Sequence, residues 1–253
     1  LMDLRLKGQK ALVTGGTKGI GRAIAETLSD EGCDIALCAR TDADVIATVE
    51  AIKAKGVNAT GKGLDIGDGD ALKEWVSDAI GELGGLDILI SNVTGGNAPG
   101  EAGWKANFEY DMMGAVRCVE AALPALSASD HGNIVLISST AALEKFMNAG
   151  PYNAMKAALL QYAGALAHDL SGQGIRVNAV SPGPIFVEGG AWDMVKQNMA
   201  PFYEATLADI PLGRMGTAEE VAAQVALLTS PLGGYTTGTN VVIDGGMTKR
   251  IQF

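Results

Sequence analysis

Val13-Thr14-Gly15-Gly16-Thr17-Lys18-Gly19-Ile20-Gly21 decides how this chain folds. An apolar run, Lys10-Ala11-Leu12-Val13, leads into it, and a segment with helical spacing, Ile20 to Ser29, leads out. Gly15 permits a tight turn. Gly19 and Gly21 let the backbone approach a pyrophosphate and let the helix pack on the strand. A helix that begins there offers free N–H groups and about half a positive charge to phosphate. Thr17 and Ile20 lie in the same turn.

Six more apolar runs follow: Asp34 to Cys38, Val57 to Leu64, Leu86 to Ile90, Asn133 to Ile137, Ile175 to Val180, and Asn240 to Ile243. Several are apolar at consecutive positions, as strands covered on both faces are. Between the runs, Asp42 to Lys55, Gly69 to Leu83, Trp104 to Leu126, Pro151 to Leu170 and Thr217 to Thr229 carry apolar residues three and four apart, the spacing of helices. Thr217-Ala218-Glu219-Glu220 reads as a capped start. Alternating strands and helices imply parallel strands with right-handed crossovers. The expectation is an α/β, doubly wound, seven-stranded parallel sheet of Rossmann type with helices on both faces. Its binding site should lie at the carboxyl ends of the strands. No Pro/Ser-rich linker divides residues 1–253, so one domain is expected. Residues 184–211 hold Phe186, Trp192, Met194, Met199, Phe202 and Tyr203, and read as a mobile, apolar lid.

Composition narrows the function. The 253 residues carry 19 Lys+Arg against 29 Asp+Glu, a net charge of −10, which opposes a nucleic-acid partner. Apolar residues make up 47%, enough for a core. No apolar run approaches the about 20 residues that span a membrane. Leu1 to Lys7 lacks the apolar stretch of a signal peptide, so a cytoplasmic location is expected. Cys33, Cys38 and Cys118, odd in number and without metal spacing, read as reduced thiols. Two isolated histidines, His131 and His168, make no metal site.

The second strand should end beside an adenosine ribose. An acid there favours NAD, whereas arginine accommodates a 2′-phosphate. The chain has Cys38-Ala39-Arg40-Thr41 at that point. Arg40, with Lys18 as a second cation, therefore points to NADP rather than NAD. Asp65-Ile66, after the third strand, could serve the adenine, with Asp65 accepting from its amine.

Tyr152 and Lys156 stand four apart at the start of a helix, hence on one face. A free phenol ionises near pH 10, so acid/base work near neutrality requires its anion to be stabilised, which a neighbouring ammonium can do. Ser139, at the end of the fifth strand, can hold a substrate oxygen beside the phenol.

With these marks the chain resembles the short-chain dehydrogenase/reductase family, in particular its 3-oxoacyl-[acyl-carrier-protein] reductase-like members. The likeness runs from Lys7-Gly8-Gln9-Lys10 to Ile243-Asp244-Gly245-Gly246. It includes Leu86 to Ile90, Ile137-Ser138-Ser139, Tyr152-x-x-x-Lys156, Arg176 to Gly183 and Pro211-Leu212-Gly213-Arg214. The resemblance implies a nicotinamide oxidoreductase acting on a carbonyl/alcohol pair, with an acyl thioester among the conceivable substrates. Tyr152 would be acid/base and Ser139 the polariser of the substrate oxygen. Lys156 would bind the nicotinamide ribose and assist Tyr152. A homotetramer is implied, with Trp104 to Leu126 and Pro151 to Leu170 forming one interface.

Three positions depart from the family pattern. Ser91-Asn92-Val93-Thr94 replaces Asn-Asn-Ala-Gly, although Asn92 keeps its place beside the nicotinamide. Asp111 stands where an asparagine is usual; its carboxylate could pair with Lys156 and blunt its effect, and Asn107, one turn earlier, could supply the amide instead. Val187 replaces a frequent threonine after Pro182-Gly183-Pro184-Ile185, where Pro182 and Gly183 line the cofactor and Ile185 offers its backbone to the carboxamide. A competing expectation is a nucleotide-binding sensor or scaffold of the same fold with impaired turnover. An epimerase or dehydratase relative would generally carry a larger C-terminal region.

Overall fold

The structure is a computed structural model and describes residues 3–147 and 149–251. Seven parallel strands form one sheet: β1 (Lys10–Thr14), β2 (Asp34–Ala39), β3 (Ala59–Gly63), β4 (Ile88–Ser91), β5 (Asn133–Ile137), β6 (Arg176–Pro182) and β7 (Asn240–Ile243). Their order is β3-β2-β1-β4-β5-β6-β7. The helices are α1 (Gly19–Asp30), α2 (Asp42–Lys53), α3 (Gly69–Leu83), α4 (Gly100–Asn107), α5 (Gly114–Ser127), α6 (Pro151–Leu170), α7 (Ala191–Asn198), α8 (Ala200–Ala208) and α9 (Ala218–Thr229).

Consecutive apolar residues in the strands feed opposite cores. Ala11 and Val13 of β1 join Ile35, Leu37, Ile88 and Ile90 beneath α1, α2 and α9. Leu12, between them, joins Ala36, Cys38 and Leu89 beneath α3, α5 and α6. This explains the unbroken apolar runs: both faces of the sheet are covered. The doubly wound expectation holds, with seven strands and helices on both sides.

Several boundaries move. The third strand is shorter than Val57 to Leu64. At Thr217 the capped start is a full capping box: the side chain accepts from Glu220 N–H and Glu220 accepts from the Thr217 N–H. The segment from Trp104 to Leu126 is not one α-helix, because a π turn over Phe108–Met113 separates α4 from α5. Residues 184–211 contain α7 and α8, tied together by Trp192 stacked on Phe202 with ring centroids 6.1 Å apart.

The chain reverses direction across the sheet between β1 and β4, which pair at Ala11–Ile88 through Val13–Ile90. A crevice opens outside the carboxyl ends of these two strands, where ligands bind in open α/β sheets.

Candidate active site

The glycine turn forms one wall of the crevice. Gly15 and Gly19 have φ of +65° and +55°, the left-handed region that glycine tolerates. At Gly21 a Cβ would stand 2.2 Å from the Gly15 carbonyl oxygen, so only glycine lets α1 start this close to β1. No side chain caps the N-terminus of α1, and its first turn holds no acid. Asn92, at the end of β4, fastens the turn: its N–H donates to Thr14 Oγ1 at 3.0 Å, and its amide lies 3.4 Å from the Thr14 and Gly15 carbonyls.

A cavity of about 450 Å³ runs along this wall. Gly15, Thr17, Lys18, Arg40, Asp65, Ile66 and Asn92 all line it, as do Asp44 and Tyr110, which the sequence did not single out. Uncapped helix N–H groups beside a cavity of this size suit a bound diphosphate. The residues present therefore fit a nicotinamide dinucleotide, which the glycine turn, Arg40, Asp65 and Ile66 would hold.

Two of the expected contact residues already have partners within the chain. Lys18 Nζ pairs with Asp44 Oδ2 at 2.7 Å, so an acid stands beside this cation on the cavity wall. Asp65 Oδ2 accepts from the Tyr110 hydroxyl at 2.9 Å and Oδ1 from Gly67 N–H at 2.9 Å, one donor on each oxygen. The bond to Asp65 holds the Tyr110 phenol above its ordinary pKa, because it favours the protonated donor.

The other wall comes from β5, β6 and α6. Pro151 opens α6 in its first turn, which sets Tyr152 and Lys156 on adjacent turns of one face. Ser138 Oγ donates to the Lys156 carbonyl at 2.8 Å and clasps α6 to the end of β5. Ser139 Oγ accepts from Ala141 N–H at 3.2 Å, which leaves its own proton free to donate. Ser139 and Tyr152 line a second cavity of about 180 Å³ with Gly183, Pro184, Phe146, Trp192 and Phe202. The remaining lining residues are Asn97, Thr140, Ala141, Met147, Ala191, Val195 and Met247, so Tyr152 is the one ionisable side chain facing this space among the described residues.

Lys156 is 4% exposed at its side chain and Asp111 0%, with Nζ 2.9 Å from Oδ1. The ammonium also donates to the Ile137 carbonyl at 3.0 Å and lies 5.8 Å from the centre of the Tyr152 ring. An ammonium has three donors, so one remains for a ligand. Asp111 sits in the π turn, and its Oδ2 accepts from Gly95 N–H at 2.8 Å and Thr94 Oγ1 at 3.2 Å. The carboxylate thus bridges the Thr94–Gly95 loop after β4 to the lysine.

Asn107 does not supply the missing amide. Its Nδ2 donates to the Gly96 and Gly103 carbonyls at 2.9 and 3.0 Å, so it holds the same loop from the other side. Pro182 ends β6, and Gly183 donates to the Ile243 carbonyl at 2.9 Å; a Cβ on Gly183 would meet Asp244 at 2.7 Å. Ile185 pairs with Gly216 in a short parallel bridge.

The comparisons with known proteins agree with this architecture. Residues 15–248 match the family model described as enoyl-(acyl carrier protein) reductase. Isoepoxydon dehydrogenase patN of Penicillium expansum is 36% identical over 256 residues, covering 98% of each chain. The 3-oxoacyl-[acyl-carrier-protein] reductase FabG of Staphylococcus aureus is 32% identical over 245 residues, 94% of this chain and 98% of that one. L-Sorbose reductase of Gluconobacter frateurii, solved with NADPH and L-sorbose, superposes with a TM-score of 0.90 at 29% identity, over 99% of this chain and 100% of that one. A short chain dehydrogenase of Burkholderia cenocepacia in complex with NADP gives 0.88 at 32% identity, over 96% and 99%. With the family model matched over residues 15–248 and relatives more than 30% identical along nearly the whole chain, the chain belongs to the short-chain dehydrogenase/reductase family of oxidoreductases.

Proposed function

We propose that the protein is an NADP-dependent reductase of a ketone or 3-oxo ester, and in reverse a secondary alcohol dehydrogenase. The observation that carries this reading is the placement of Ser139 and Tyr152 on one small cavity, with the Lys156 ammonium beneath the phenol ring. A bound reduced nicotinamide would supply the hydride to the carbonyl carbon. Ser139 donates its free O–H to the carbonyl oxygen and fixes its position. Tyr152 gives that oxygen its proton, and Lys156 stabilises the phenolate left behind. The third N–H of Lys156 would hold the nicotinamide ribose. Asp111 limits the field that Lys156 exerts on the phenol and orders the loop at Thr94–Gly95.

Arg40 supports NADP over NAD, as do the NADPH and NADP found with two relatives of known structure. No charged side chain lines this cavity among the described residues, which supports an uncharged reacting end for the substrate. A cavity of about 150 Å³ takes a benzene-sized ring; this one suits the reacting end of a compact ketone. The relatives named for isoepoxydon and L-sorbose accord with small carbonyl or hydroxyl compounds, and the one named for 3-oxoacyl carriers with a thioester. No described helix is long and apolar enough to cross a membrane. Cys33, Cys38 and Cys118 are buried free thiols, in keeping with a cytoplasmic protein. Trp104 and Phe108, exposed on α4 and the π turn, are the proposed contacts of a homotetramer.

A panel of ketones and alcohols, followed at 340 nm with NADPH and NADH, tests the assignment. Oxidation of NADPH by a small uncharged ketone supports it. A nucleotide-binding sensor is the second reading, favoured by the buried pair that engages Lys156; it gains if nucleotides bind and no compound turns over.

A further inference from the structure

The adenosine end of the crevice carries an acid that the sequence pattern did not announce. Lys18 precedes α1 and Asp44 stands in the first turn of α2, yet the two side chains meet at 2.7 Å on the rim of the cavity they share with Arg40 and Thr41. Arg40 forms no ion pair among the described residues, so the pair leaves it as the net cation at this end.

We propose that Asp44 is a specificity-determining residue: by occupying Lys18 it lowers the advantage of the 2′-phosphorylated dinucleotide and keeps the unphosphorylated one usable. This rests on the dinucleotide reading of the crevice. A 2′-phosphate gains most from two free cations, and here one ammonium must first be shared or released. A ribose with a free 2′-hydroxyl makes no such demand. Lys18 is 77% exposed and Asp44 34%, so the exchange costs little. The effect is therefore a tuning of preference rather than a block.

Nucleotide affinity, read by fluorescence titration of NADPH and NADH at low ionic strength, tests this without turnover. The proteins are wild type, Asp44→Asn, Lys18→Met, the double variant and Arg40→Gln. Asp44→Asn should tighten NADPH about two- to fivefold while leaving NADH unchanged. That gain should vanish when Lys18 is methionine, and shrink as salt screens the rim. Equal changes for both nucleotides, or an undiminished gain in the Lys18→Met background, would overturn the proposal. Arg40→Gln separates the two levels. If it weakens NADPH selectively while Asp44→Asn moves nothing, only the role of Asp44 fails. If it leaves both nucleotides untouched, the dinucleotide reading of this end fails with it.

Discussion

Two lysine–aspartate pairs stand at opposite ends of one crevice, and their lengths are nearly the same, 2.9 Å for Lys156–Asp111 and 2.7 Å for Lys18–Asp44. Their surroundings differ completely. The first is sealed between α6, the π turn and the end of β5; the second lies on the rim. Burial rather than distance decides what such a pair does. In water the exposed pair is worth well under about 1 kcal/mol and exchanges freely. In the interior each charge depends on the other, because neither can turn to solvent. The same two residue types thus build a fixed scaffold beneath the Tyr152 phenol and an adjustable contact beside Arg40.

That contrast can be broken by substitution. Tyr152→Phe removes the proposed proton donor above the buried pair and should cut turnover about 10²- to 10⁴-fold, with nucleotide affinity retained; the 340 nm assay and a nucleotide titration report the two separately. Asp111→Ala strands a buried ammonium and frees the Thr94–Gly95 loop. It should cost about 3–5 kcal/mol in chemical denaturation, against less than about 1 kcal/mol for Asp44→Ala. Similar losses for both would erase the distinction. Arg40→Gln should lower kcat/KM for NADPH about 10- to 100-fold and for NADH far less.

The smallest effect belongs to a third pair, on the surface. Arg214 donates to Glu220 at 2.6 and 2.9 Å, and this contact, with the Thr217 N–H, holds the Glu220 carboxyl at about 2, below the ordinary 4.5. A lowered folded-state value means that the contribution is present above the unfolded value near 4.5 and disappears as pH falls toward 2. The stability difference between wild type and Glu220→Gln should follow that course in unfolding curves taken across this range.

The fold was legible because its signals are local. Leu12 and Val13 are neighbours in sequence and face opposite cores, and that alone implies a sheet covered on both sides. Gly21 could be read from its spacing, since only glycine fits against the Gly15 carbonyl. Ser139, Tyr152 and Lys156 were legible for the same reason: a strand end and an i, i+4 pair are short-range facts. Asp44 and Tyr110 were not, because each acts on a residue from another element, Lys18 before α1 and Asp65 after β3. The π turn escaped because apolar spacing over Trp104 to Leu126 does not reveal one extra residue in a turn. Asp111 was noticed as a departure, but its bond to the Gly95 N–H, which ties it to the loop after β4, exists only in three dimensions.

Hydride transfer itself offers the most direct test of the central claim, that Tyr152 and its buried lysine serve carbonyl reduction in this crevice. With nicotinamide-deuterated NADPH and a small ketone, the label should appear on the carbinol carbon of the product in the wild type. Tyr152→Phe should bind the nucleotide and transfer almost none. Product formed without label, or label delivered by Tyr152→Phe at the wild-type rate, would contradict the account.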